Sequence, residues 1–109
     1  MEQFKISNDL IENLGNLKKD NKVMINKEVF EVLRLEPDAN TGKVNGKMSI
    51  IEEWFNISLF NKNEDEFVLI VHTFPDKYLL FRKIERKSIS EPWVFDIVEE
   101  IVINNIEII

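Results

Sequence analysis

His72 is the only histidine in the chain, and imidazole is the side chain best suited to acid/base work or metal ligation near neutral pH. It closes the apolar run Phe67 to Val71, in phase with Val68 and Ile70. A catalytic imidazole needs an orienting acid and a nucleophile or substrate proton within hydrogen-bond reach; the sequence offers only Asp76, across a turn. One acid does not make a site. With no cysteine in the chain, zinc would have to be held by His72 and carboxylates alone. His72 reads as structural.

Asp38, Asn40 and Gly42 stand at alternate positions, as oxygen ligands do at the start of a calcium loop. The match ends there, because the sixth position is Lys43 instead of glycine and the twelfth is Ser49 instead of a bidentate glutamate. Gly42 followed by Lys43 lacks both the earlier glycine and the following hydroxyl of a phosphate loop. Glu52 with Glu53, and Glu64 to Glu66, are the paired carboxylates of the body. Neighbours on a strand point to opposite faces and neighbours in a turn are solvated, so neither pair can work across a cleft. No catalytic residue, metal ligand or cofactor site emerges, and the chain is predicted not to be an enzyme.

The elements that carry these residues centre on Trp54 to Arg86, where three apolar runs separated by two turn signals predict an antiparallel meander. Phe55, Ile57 and Leu59 alternate with Asn56 and Ser58, the period of a half-buried strand. Phe67 to Val71 is continuously apolar, as in a central strand covered on both faces. Tyr78 to Ile84 ends in Arg82 and Lys83 and should reach solvent. Asn61 to Asp65 and Phe74 to Lys77 supply the turns, the second strengthened by Pro75 and Asp76.

Upstream, Leu10, Ile11, Leu14 and Leu17 have helical spacing, and Asp9 with Glu12 is a variant capping box, so Asp9 to Lys19 is predicted helical, with Lys18 and Lys19 in the last turn. Val23 to Ile25 and Glu28 to Leu35 read as a short hairpin around Asn26 and Lys27. Pro37 to Lys47 has the composition of a loop, within which Asn45 and Gly46 are the strongest turn signal and fit the cap of a hairpin extension. Met48 to Glu53 leads into the meander as a strand. Downstream, Pro92 fits a first helical turn, and at 100° per residue Trp93, Val94, Phe95, Ile97, Val98, Ile101 and Val102 fill one arc while Asp96, Glu99 and Glu100 fill the rest. Residues 91 to 103 are therefore predicted to form an amphipathic acidic helix, followed by a short strand at Ile106 to Ile109. The predicted fold is α+β: one domain, 1–109, with an antiparallel sheet of about five strands on which an N-terminal helix and the acidic C-terminal helix pack.

Charge divides the chain. Residues 1–90 hold 14 bases and 15 acids, whereas residues 91–109 hold five acids (Glu91, Asp96, Glu99, Glu100, Glu107) and no base. Just upstream lies a basic cluster, Lys77, Arg82, Lys83, Arg86 and Lys87, interleaved with Tyr78 and Phe81. Clustered cations and aromatic faces could bind nucleic acid. The net charge of -6 opposes that, and pairing of these cations with Asp96, Glu99 and Glu100 is the more economical account.

No apolar run reaches the roughly 18 residues of a membrane span, and no secretion signal opens the chain, so a cytoplasmic protein without a membrane partner is expected. Fifteen isoleucines and twelve asparagines against one alanine fit AT-rich coding and a bacterial or phage source. An acidic surface steers association with basic partners, and tryptophan is enriched among interface anchors. The expected function is a non-enzymatic protein-binding module, a small acidic inhibitor such as an immunity or anti-defence protein acting on a nucleic-acid-handling enzyme. Asp96, Glu99, Glu100 and Trp54 are its candidate partner-binding residues. The alternative is a homodimer or larger homo-oligomer assembled through the isoleucine-rich C-terminal strand.

Overall fold

A computed structural model describes residues 4–88, 90–91 and 94–109. One short helix and eight strands follow in chain order: β1 (Phe4–Lys5), α1 (Asn8–Gly15), β2 (Lys22–Ile25), β3 (Glu28–Val44), β4 (Lys47–Phe60), β5 (Glu66–Phe74), β6 (Tyr78–Arg86), β7 (Phe95–Ile101) and β8 (Ile106–Ile108). The protein is mostly β, its antiparallel sheet curled into a half-barrel. The strand order is β1-β6-β5-β4-β3-β2-β8, and β7 pairs with β6 beside β1.

The meander forms where the periodicity places it, and β5 lies between β4 and β6. Its inner face meets that of the other strands in a core of Val23, Ile25, Phe30, Val32, Ile57, Leu59, Phe67, Leu69, Val71, Leu79 and Phe81, closed by Leu14, Leu17 and Ile103. Each such side chain stabilises by about 1.5–3 kcal/mol when taken out of water. Helix α1 contributes Leu14, with Leu10 and Ile11 packed on the core.

That helix is shorter than the spacing suggests. Ser7, two residues ahead of the predicted start, is the N-cap and accepts a hydrogen bond from the Leu10 amide. Asn16 ends the helix just past Gly15, whose lack of a side chain weakens helix propagation. Lys18 and Lys19 consequently lie beyond the last turn.

Two larger differences concern the arm and the tail. The stretch read as a loop, Pro37 to Lys47, is mostly strand: β3 runs on to Val44 and pairs with β4 around a turn at Asn45 and Gly46, both at positive φ (52° and 79°). The turn signal was right, but polar composition alone concealed an extended hairpin whose strands are exposed on both faces.

The predicted C-terminal helix is absent from the described residues; Phe95 to Ile101 is strand β7. Strand β6 otherwise leaves Phe81 to Arg86 with an unpaired edge, and seven residues including the β-branched Ile97, Val98 and Ile101 satisfy it. An irregularity at Val98 shifts the register between Lys83 and Ile84. That shift removes the strict alternation by which a strand would have been legible. Pro92 and Trp93 lie outside the described residues. The short terminal strand does form, as β8, and it pairs with β2 of its own chain.

Candidate functional site

The four residues expected to bind a partner do not share one surface. On β7, Glu100 stands opposite Arg82 and its carboxylate lies 3.2 Å from that guanidinium, on the outer face of the sheet. Glu99 stands opposite Lys83 and Asp96 opposite Glu85, on the other face. Trp54 lies on β4, three strands from β7, half-buried on the outer face. A helical acidic ridge is therefore replaced by an acidic edge strand with carboxylates on both sides.

Electrostatic pairing between the basic cluster and this segment does occur. Besides Arg82 with Glu100, the Lys87 ammonium lies 2.8 Å from Asp96, and that hydrogen bond, aided by the carboxylate charge, raises the Lys87 pKa. Arg86 forms a two-pronged pair with Glu66, its Nε donating at 2.8 Å, and Lys83 turns to Asp65 at 3.7 Å. Arg82 and Lys87 thus hold β7 against β6, while Lys83 and Arg86 tie β6 to the start of β5. The Phe95 ring adds a cation–π contact, 5.9 Å from the Arg86 guanidinium carbon.

The outer edge of β7 is a different matter. Among the described residues no strand pairs with it. Its flanks expose Val94, Phe95, Ile97, Val98 and Val102, with Val98 53% exposed. The strand therefore presents a row of backbone donors and acceptors, apolar side chains and acids to whatever lies alongside.

His72 is 6% exposed, and both ring nitrogens are engaged. Nδ1 donates to the Asp76 carbonyl at 2.8 Å, and Nε2 lies 3.1 Å from Glu52 Oε2. The predicted neighbour Asp76 is present, but through its backbone oxygen. The imidazole is stacked between Trp54, at 6.4 Å and 5°, and Tyr78, at 4.5 Å and 9°. Because the rings face one another, the Trp54 and Tyr78 faces turned toward His72 are closed to a base. Glu52, which also accepts from Asn40 Nδ2 at 3.2 Å, has its pKa lowered by the hydrogen bonds from His72 and Asn40. Burial, together with the charges of Glu52 and Asp76, raises that of Tyr78.

This arrangement gives an acid-side prediction. A carboxyl whose folded pKa lies below its unfolded value of about 4.5 contributes stability that is fully present above that value and is lost as the pH falls through the folded one. Glu52→Gln should therefore cost stability at neutral pH, and its difference from the parent should shrink progressively on acidification below about pH 4.5. Urea unfolding across an acid series measures it; a difference that stays constant down to pH 2 would contradict the assignment.

Sequence reasoning missed a groove on the outer face. A cavity of about 470 Å³ is lined by Arg34, Arg82 and Arg86 together with Asn56, Ser58, Val68 and Ile84. Register explains it, since Arg34, Ser58, Val68 and Arg82 are direct cross-strand neighbours over four strands. The alternation Arg82, Ile84, Arg86 was the available signal. Glu36, Glu66 and Glu100 pair with the three arginines, although the buried Arg82 Nε and Arg86 Nη1 find no hydrogen-bond partner among the described residues.

Asp38, Asn40 and Gly42 fall along the straight β3 and form no loop. Among the described residues no group of three or more His, Asp or Glu side chains is placed to hold a metal ion, and no helix is long and apolar enough to cross a membrane. No protein-family model matches the chain, and no curated protein or solved structure does either.

Proposed function

We propose that this chain is a non-enzymatic binding module that recognises a basic protein by adding an extended segment of it to the outer edge of β7. The single observation that carries the reading is that edge, unpaired among the described residues and studded with Asp96, Glu99 and Glu100. An added strand gains main-chain hydrogen bonds, and its side chains give specificity. The same carboxylates discourage addition of a second β7, because acids would be brought together, yet they favour a strand bearing lysine or arginine.

Enzymes that handle nucleic acids present basic surfaces to phosphate. A small acidic inhibitor of such an enzyme is the form of the module that best fits the charge. Trp54, three strands away on the outer face, has no part in this edge contact. Assembly through the C-terminal strand has less support, since β8 is only three residues long and one of its edges is taken by β2 of its own chain.

The test uses the full chain as bait in bacterial lysate, beside the variant Asp96→Lys/Glu99→Lys. A basic nucleic-acid enzyme should be captured by the parent, released by salt and inhibited stoichiometrically. The variant should lose at least about tenfold in affinity. Capture of nothing basic, or equal capture by both chains, would sink the reading.

A further inference from the structure

The β3–β4 hairpin outruns its neighbours. Strand β2 pairs with β3 only at Glu28 to Glu31, and β5 pairs with β4 only as far as Glu53. Beyond those points Asn40–Val44 and Lys47–Glu52 pair only with each other, forming an arm roughly 17 Å long at 3.3 Å per residue. An isolated two-stranded ribbon is marginal in water. This one nevertheless exposes Val44 (51%), Met48 (65%), Ile50 (47%) and Ile51 (47%).

Its two faces differ. Register opposes Lys43 to Met48, Thr41 to Ile50 and Ala39 to Glu53, with Ile51 as the extra residue of a bulge. Strand β3 is regular from Ala39 to Val44, so Ala39, Thr41 and Lys43 share one face with their partners. The opposite face is partly engaged. There Ile51 lies over Gly42, at the place a Cβ would occupy, and Glu52 is held by Asn40 and His72.

The first face has a simple order: Lys43 beside Met48 at the tip, Thr41 beside Ile50 in the middle, Ala39 beside Glu53 at the root. Among the described residues neither Lys43 nor Glu53 forms an ion pair. A surface that runs from positive through apolar to negative is complementary to itself when turned end for end, which is the geometry of a two-fold axis.

We propose that this face is a self-association surface, on which the arm of a second copy lies antiparallel, Ile50 against its counterpart at the centre and each Lys43, with Met48 beside it, against the Glu53 end of the other copy. A generic basic or acidic partner would match one end of the face and be repelled at the other. Each face offers only a few hundred Å², so the contact belongs with weak, transient interfaces. The arms alone are engaged, and the β7 edge remains free.

Sedimentation velocity over a concentration series reads the association. The parent chain should show a monomer–dimer equilibrium at high micromolar concentration. Lys43→Glu and Glu53→Lys, each placing like charges at both symmetric contacts, should each weaken the dimer about tenfold or more. An equimolar mixture of the two variants, and the double variant K43E/E53K, should recover it, because opposite charges again face one another. Far-UV circular dichroism would show that these exposed substitutions leave the fold intact. A parent that stays monomeric, a dimer indifferent to either reversal, or a mixture that fails to recover would each overturn the proposal.

Discussion

Phe30→Ala is expected to lower the free energy of unfolding by about 4 kcal/mol, the largest effect of any single substitution considered for this protein. Phe30 is 1% exposed and stands edge-on to Phe67, with ring centres 4.9 Å apart, and to Phe81, at 5.3 Å. Phe67 and Phe81 are themselves stacked at 5.4 Å. The Phe30 ring comes from β3 and meets rings from β5 and β6, strands that β3 does not pair with, so it holds the curl of the sheet. Removing one ring forfeits its transfer energy and leaves a cavity that the close-packed core can only partly collapse around. The adjacent Val29 is 46% exposed, and Val29→Ala should cost less than about 1 kcal/mol. Urea denaturation of both variants provides the comparison. A Phe30 variant within about 1.5 kcal/mol of the parent would mean that the ring is not the keystone described.

The second large effect is expected at Asn26, from a different mechanism. Strand β7 ends at one side of the half-barrel and β8 begins at the other, and Val102–Asn105 alone connect them. Five residue steps reach at most roughly 18 Å, so the crossing draws the two edges of the sheet together at that end. Ile103 anchors it, buried at 7% exposure. Asn26 clasps it. Its side-chain Nδ2 donates to the Val102 carbonyl at 2.8 Å, its Oδ1 accepts from the Asn104 amide at 2.7 Å and the Asn105 amide at 3.4 Å, and its own amide donates to the Asn105 carbonyl at 3.0 Å. Its φ of 53° is also one that asparagine tolerates and alanine does not.

Asn26→Ala should therefore cost about 3 kcal/mol, from roughly 1 kcal/mol for each of the two short side-chain hydrogen bonds, to Val102 and Asn104, and about 1 kcal/mol for the backbone. A series separates the contributions. Asn26→Gly loses the clasp but keeps the backbone at ease, and Asn26→Asp keeps the acceptor and loses the donor; both should fall between parent and alanine. Hydrogen exchange at the Asn104 amide gives the local readout, since it should be freed in the alanine and glycine variants alike. Unchanged protection there, or an alanine variant within about 0.5 kcal/mol of the parent, would refute the clasp.

Both residues lay in plain sight in the sequence without their roles being legible. Phe30 could be assigned to a strand by its neighbours, yet nothing local says that its ring meets one from β5 and another from β6. In the sequence Asn26 and Lys27 mark only the turn of a short hairpin, and they lack the glycine that such a turn favours at its second position. In the fold both Asn26 and Lys27 take positive φ, 53° and 67°. The side-chain bonds to Val102 and Asn104 supply a reason for asparagine that no inspection of residues 22–31 could find.

The candidate site divides in the same way. Opposite charge blocks at 77–87 and 91–109 were readable, and they do pair, as Arg82 with Glu100 and Lys87 with Asp96. Which face each acid occupies was not readable, because the register shift at Val98 brings Glu99 onto the face of Asp96 and sends Glu100 to the opposite one.

By itself the sequence determined the meander: its alternating and continuous apolar runs, the turns after Phe60 and Phe74, the Asn45–Gly46 reversal and the imbalance of charge are all properties of neighbouring residues. The tertiary structure alone decided that residues 95–101 form a strand, that the polar stretch after Pro37 becomes half of an arm, and that a four-residue crossing ties the sheet's two edges. The physical reason is common to all three. Spacing limits which residues can share a face, whereas the choice of backbone partner belongs to groups tens of residues away, and a segment with acceptable helical and extended forms takes the one whose hydrogen bonds an open edge completes.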